Sequence, residues 1–141
     1  MGMVHAEITL TNPLDKGFAR EGYIKPEAIR TFTVKAIVDT GAMSLVITEE
    51  LRKKLGLGIV GQKTAKTADG RRVLCKVTEG VRFSWKNRTW VLSAVVIPGA
   101  EDVLLGAIPL EALDVMVNPA TQELVGIHGD DAEYMALKAA S

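Results

Sequence analysis

Only one cysteine, Cys75, occurs in the chain, which excludes an internal disulfide and a cysteine-based zinc site and makes a reducing, cytoplasmic setting the expectation. Histidine is almost as scarce. His5 and His128 lie far apart with no ligand-like spacing, so both read as surface residues. There is no excess of charge of either sign: 17 basic and 17 acidic residues cancel, so no net field draws the chain onto nucleic acid or an anionic membrane. No apolar run approaches the length of a membrane span, and Met1–Glu7 offers no basic leader, so neither membrane insertion nor secretion is expected. Ser44 and Cys75 have no evident histidine partner and read as structural rather than nucleophilic. An internal repeat is also missing.

What is present is a core-forming composition, 48% apolar over 141 residues, enough for one ordinary domain. Most of the chain reads as short strands. Val4, Ala6, Ile8 and Leu10 alternate with polar neighbours as in a half-buried strand, which Thr11-Asn12-Pro13 ends. Residues 14–30 read as a long connection with a helical turn near Pro26–Ile29. Thr48 through Gly56 carries a hydroxyl cap, acids in the first turn, bases in the last and a terminal glycine, which predicts a short helix. Gln62–Thr67 and Arg71–Val77 form polar arms about Asp69-Gly70. Val81, Phe83 and Trp85 lead through a turn at Asn87-Arg88 into Trp90–Ile97, with the two tryptophans expected to pack across the strands. Pro109 suits the first turn of a short helix over Leu110–Leu113, and strands follow at Val115–Val117 and Gln122–Ile127. Residues 1–128 are thus expected to form a single mainly β, closed barrel-like domain with one or two short helices, followed by a tail, 129–141, of helical composition.

One stretch stands apart. Thr33–Val38 and Leu45–Ile47 are apolar, strand-like runs flanking Asp39-Thr40-Gly41-Ala42, so a carboxylate, a hydroxyl and a glycine sit on a turn held between two buried strands. Asp and Gly are ordinary turn residues, and the tripeptide alone decides nothing. Its context does: Ala36–Ala42 with the apolar run after it resembles the active-site loop of the retroviral-type (retropepsin-like) aspartic proteases. Val103-Leu104-Leu105-Gly106 is similar to the strand that crosses behind that loop in the family, and Ala68-Asp69-Gly70 lies where the family places its flap. The resemblance spans residues 31–127.

It implies a retropepsin (acid protease) fold and an aspartic endopeptidase with Asp39 as the catalytic carboxylate, in which water attacks directly and no metal or organic cofactor is implied. Hydrolysis by two carboxyl groups needs one ionised, to take a proton from water, and one protonated, to donate to the scissile carbonyl. Only one Asp-Thr-Gly occurs, so two identical chains would each contribute Asp39 to a homodimer acting on a polypeptide. Thr40 would tie the two loops together, Gly41 would let the backbone approach the carboxylate, and Ala42 offers a methyl that cannot donate as a hydroxyl there would. Val4–Leu10 and Leu124–Ile127 are the candidate interface strands. Two other readings remain open at this level: a catalytically silent dimerisation or peptide-binding module of the same fold, and an unrelated β-barrel binding domain in which Asp39 is only a turn residue.

Overall fold

The computed structural model describes residues 3–67 and 69–129. Its elements, in order, are β1 (Val4–Thr11), α1 (Pro13–Arg20), a 3-10 turn (Pro26–Ala28), β2 (Thr31–Val38), β3 (Leu45–Ile47), α2 (Glu49–Leu55), β4 (Ile59–Lys66), β5 (Arg72–Trp85), β6 (Arg88–Val96), β7 (Leu104–Leu105), α3 (Ala107–Ala112), β8 (Val115–Asn118) and β9 (Glu123–Gly126). The helical reading of the tail falls on residues 130–141, outside the described residues. No described helix is long and apolar enough to cross a membrane.

The strands close on themselves. The main sheet runs β1-β2-β7-β3-β6-β5-β4, and Thr9–Thr11 of β1 pair in addition with Arg82–Ser84 of β5, so six strands form a ring with β4 outside it. The alternation read in β1 aims Ala6, Ile8 and Leu10 inward, where they meet Val81, Phe83 and Trp85 of β5 with Leu45, Ile47 and Leu105. Each such side chain, once removed from water, contributes about 1.5–3 kcal/mol. Helix α2 caps this core with Leu51 and Leu55, its Thr48 hydroxyl accepting from the Leu51 N–H and Gly56 closing it at φ 70°. The hairpin β8–β9 forms a separate two-stranded sheet.

The segment read as a connection holds the helix α1. Asn12, taken as a strand terminator, is its N-cap, accepting from the Leu14 and Asp15 N–H groups, with Pro13 at the first helical position. The helix is short because its stability comes from outside itself: Asp15, fifteen residues before its partner, accepts from Arg30 backbone N–H (2.9 Å), Nε (2.8 Å) and Nη2 (3.0 Å). The guanidinium also packs on Gly56, where a Cβ would meet Arg30 Nη1 at 1.8 Å, and Asn12 Nδ2 donates to the Leu55 carbonyl. The segment therefore clamps the end of α2.

Hydrogen bonds from Arg30 hold the Asp15 carboxyl below its ordinary value against the opposing effect of burial. A depressed folded value means the stabilisation is complete above the unfolded value, about 3.9, and is lost as pH falls through and below it. Asp15→Asn is expected to cost about 2 kcal/mol at neutral pH, discounted because Arg30 is 47% exposed. Urea midpoints measured from pH 7 to 3 check this: the gap between variant and parent narrows on acidification, and a constant gap would contradict it.

Two smaller expectations shift. The β5–β6 turn lies at Lys86-Asn87, with Lys86 at φ 52°, because Arg88 is buried as the first residue of β6 and its guanidinium carbon stands 5.9 Å from the Trp85 ring centroid. The tryptophans do not oppose each other: Trp85 faces Arg88 and Trp90 faces Phe83.

Candidate functional site

Asp39 leaves the end of β2 and stands exposed at the head of a turn that is fastened from behind. Its own N–H donates to the Leu105 carbonyl (3.1 Å), and the Ala42 N–H donates back to the Asp39 carbonyl (3.1 Å). The Gly41 N–H reaches the carboxylate, Oδ1, at 3.0 Å. A second set of backbone bonds runs from the downstream segment: Gly106 N–H to Ser44 O (3.1 Å), Ala107 N–H to Ala42 O (2.8 Å) and Ile108 N–H to Met43 O (2.9 Å). The loop from Asp39 to Ser44 is thereby stitched residue by residue onto Leu105–Ile108.

The strand order explains why. β7 is inserted between β2 and β3, parallel to the first (Ile37 opposite Leu104) and antiparallel to the second (Leu45 opposite Leu105). The two strands carrying the loop are thus joined through the Leu104-Leu105-Gly106 stretch. Gly106 is there for room, since its φ of −83° suits any residue while a Cβ would lie 2.5 Å from Ser44 O and 2.8 Å from Ala42 O. The structure therefore brings together Asp39, Thr40, Gly41 and Ala42 with Leu104, Leu105 and Gly106. Thr40 and Gly41 are exposed with Asp39.

Across a cleft of about 290 Å³ from Gly41–Ser44 stands β4, with Lys63, Thr64, Ala65 and Lys66 lining the opposite wall. β4 and β5 make the hairpin expected from the polar arms, in register from Gln62↔Lys76 to Lys66↔Arg72. At its tip, the flap candidates Asp69 and Gly70 are exposed, and Ala68 is outside the described residues. Gly70 takes φ 84°, and the Thr67 hydroxyl donates to Asp69, the main reason the Asp69 carboxyl is held below its usual range. The Arg71 N–H also donates to Asp69 Oδ1 at 3.2 Å, which makes the tip a locally bonded turn.

Of the apolar residues near the loop and the hairpin, Ile97 lines the cleft, Ile47 is fully buried, Val73 is half-buried opposite Ala65, and Ile108 is exposed beside Met43. Sequence reasoning missed Lys63, whose Nζ donates to Ser44 Oγ at 3.2 Å and so links hairpin to loop. A residue nineteen positions away on another strand leaves no local signal.

Residues 29–107 match the family described as aspartyl protease, and the chain belongs to that family, in its retropepsin-like form. Among solved structures it is similar to EIAV protease complexed with the inhibitor HBY-793, at 24% identity and a TM-score of 0.50 over 57% of this chain and 77% of that one. It is also similar to the retroviral protease-like domain of Ddi1 from Leishmania major, at 16% identity and a TM-score of 0.56, over 94% of this chain and 91% of that one. At such identities these likenesses establish the fold alone. No curated protein sequence matches the chain.

Proposed function

We propose that the protein is a homodimeric aspartic endopeptidase in which Asp39 of two chains shares one proton and activates a water against a peptide bond. The observation that carries this reading is the presentation of Asp39: an exposed carboxylate on a backbone stitched to the strand behind it, accepting from the Gly41 N–H and facing open solvent in the single chain. An exposed acid on a loop fastened to a rigid scaffold is where function concentrates, which supports a role in which something meets it. A second Asp39 brought against the first gives a pair that cannot both ionise cheaply, so the dyad keeps one proton and supplies base and acid together.

Apolar surface beside the loop supports the dimer. Met43 is 62% exposed and Ile108 44%, and they are neighbours through the Ile108 N–H to Met43 O bond. Burying such side chains at a two-fold interface stabilises association. The strands first considered for the interface are in part committed already: β1 pairs with β2 along its whole length and with β5 at Thr9–Thr11, and β9 pairs with β8. An extended polypeptide lies between the loop and the β4–β5 hairpin, adding its backbone to exposed edges. The cytoplasm is the proposed setting, on the single cysteine alone.

The test is a dilution series in which sizing and cleavage of a mixed peptide pool are measured together at mildly acidic pH. Dimer and specific activity are expected to disappear over the same concentration range. Cleavage by a species that sizes as a monomer would sink the proposal. A stable dimer that cuts nothing would instead identify the chain as a silent module of the same fold.

A further inference from the structure

The zero net charge conceals an uneven distribution. Residues 59–77, which make the β4–β5 hairpin, contain Lys63, Lys66, Arg71, Arg72 and Lys76 against one acid, Asp69. One of these cations is already engaged: Arg71 lies 3.7 Å from Asp69. The other four have no carboxylate within ion-pair distance among the described residues. Lys63 and Lys66 line the cleft, and no acidic residue among those described does so. Lys66 stands directly opposite Arg72 in the strand register and, three residues from Lys63, projects from the other face of β4, so Lys63 is the cation aimed at the loop.

We propose that the cleft selects polypeptides carrying an acidic side chain beside the cleaved bond, received by Lys63 on the loop side, with Lys66 adding positive charge to the same wall. This assignment rests on the reading of the site as a peptide cleft. Lys63 is poised for the exchange, since its partner among the described residues, the Ser44 hydroxyl at 3.2 Å, is neutral and gives way to a carboxylate, which accepts a stronger, charge-assisted bond. The remaining lining is apolar or neutral, Ala65, Val95 and Ile97 among it, so the acid has a defined end of the cleft and aliphatic neighbours. Nucleic acid is the poorer fit, because β4 and the paired arm of β5 up to Val77 carry no aromatic side chain on which a base could stack.

The experiment uses labelled twelve-residue peptides that differ only by Glu or Gln beside the central bond. Binding is read by fluorescence anisotropy on the Asp39→Asn protein, which leaves peptides whole, and cleavage by kcat/KM on the unaltered chain. The Glu peptide is expected to bind about tenfold more tightly than its Gln counterpart at low ionic strength, and the advantage shrinks in 1 M salt. Lys63→Met reduces the preference and Lys63→Glu reverses it, while Lys66→Met, on the other face of the strand, has the smaller effect. Equal binding of the two peptides, a preference indifferent to both lysines, or tighter binding of a single-stranded oligonucleotide overturns the assignment. Selective binding of the Glu peptide without cleavage by the unaltered chain upholds it while refuting the proposed catalysis. Cleavage without preference does the opposite.

Discussion

Asp39→Asn is expected to lower cleavage by at least about a thousandfold while leaving the fold and the dimer in place. Asn keeps the size of the side chain and an oxygen that the Gly41 N–H can reach, so the turn bonded through Asp39 N–H and carbonyl to Leu105 and Ala42 is undisturbed. What it removes is the ability to hold and pass the shared proton. A pair of amides can neither take a proton from water nor present an acidic one to the carbonyl. Mixing sharpens the test. If one carboxylate per subunit is required, equal amounts of parent and variant, allowed to exchange at constant total protein, show about a quarter of the parental activity, the share of dimers with two aspartates. A value of about half would mean that each chain works alone, and the two-chain mechanism would be lost. Unchanged sizing and thermal unfolding of the variant distinguish lost chemistry from lost structure.

Gly106→Ala is expected to damage the same site from behind. The added methyl carbon would lie 2.5 Å from Ser44 O, 2.7 Å from the Met43 carbonyl carbon and 2.8 Å from Ala42 O, all backbone atoms of the loop that cannot rotate away as a side chain would. Either the loop lifts off or the strand behind it shifts, and both break the bonds from Gly106, Ala107 and Ile108 that hold residues 42–44. A loss of about 3 kcal/mol corresponds to a fall in Tm of roughly 10 °C for a chain of this length. Cleavage falls further than stability, because the loop carries Asp39. Gly61→Ala is the matched control: nothing lies within 4 Å of the Cβ it would add, and its Tm should stay close to that of the parent. A Gly106→Ala protein with parental Tm and activity would show that the loop is not seated as described.

Much of this was legible in the chain because it is written locally. Asp39-Thr40-Gly41 sits between two apolar runs within fifteen residues, and the caps of α2, Thr48 and Gly56, adjoin the helix they close. The Leu104–Gly106 strand could be matched by pattern, but its insertion between β2 and β3 depends on pairings some sixty residues apart that no window of sequence contains. α1 was missed for a related reason. Asn12-Pro13 ends a strand and starts a helix with the same chemistry, and what decides in favour of the helix is the bond set from Asp15 to Arg30 with Asn12 bound to Leu55. The cationic wall of the cleft was hidden differently. Lys63 and Lys66 sit on a polar arm that gives no sign of what it faces, and only the fold sets them across from Gly41–Ser44.

The pairing of Thr9–Thr11 with Arg82–Ser84 also bears on how the chain comes to exist. A ribosome delivering this protein releases the first strand long before the strand that locks it, and in the interval one edge of β1 has only β2 beside it. Joining ends so distant in sequence is entropically slow. The newborn chain thus passes through an interval in which Ala6, Ile8 and Leu10 lack the partners of the finished ring, and during synthesis that interval, more than the stability of the completed molecule, sets its exposure to aggregation.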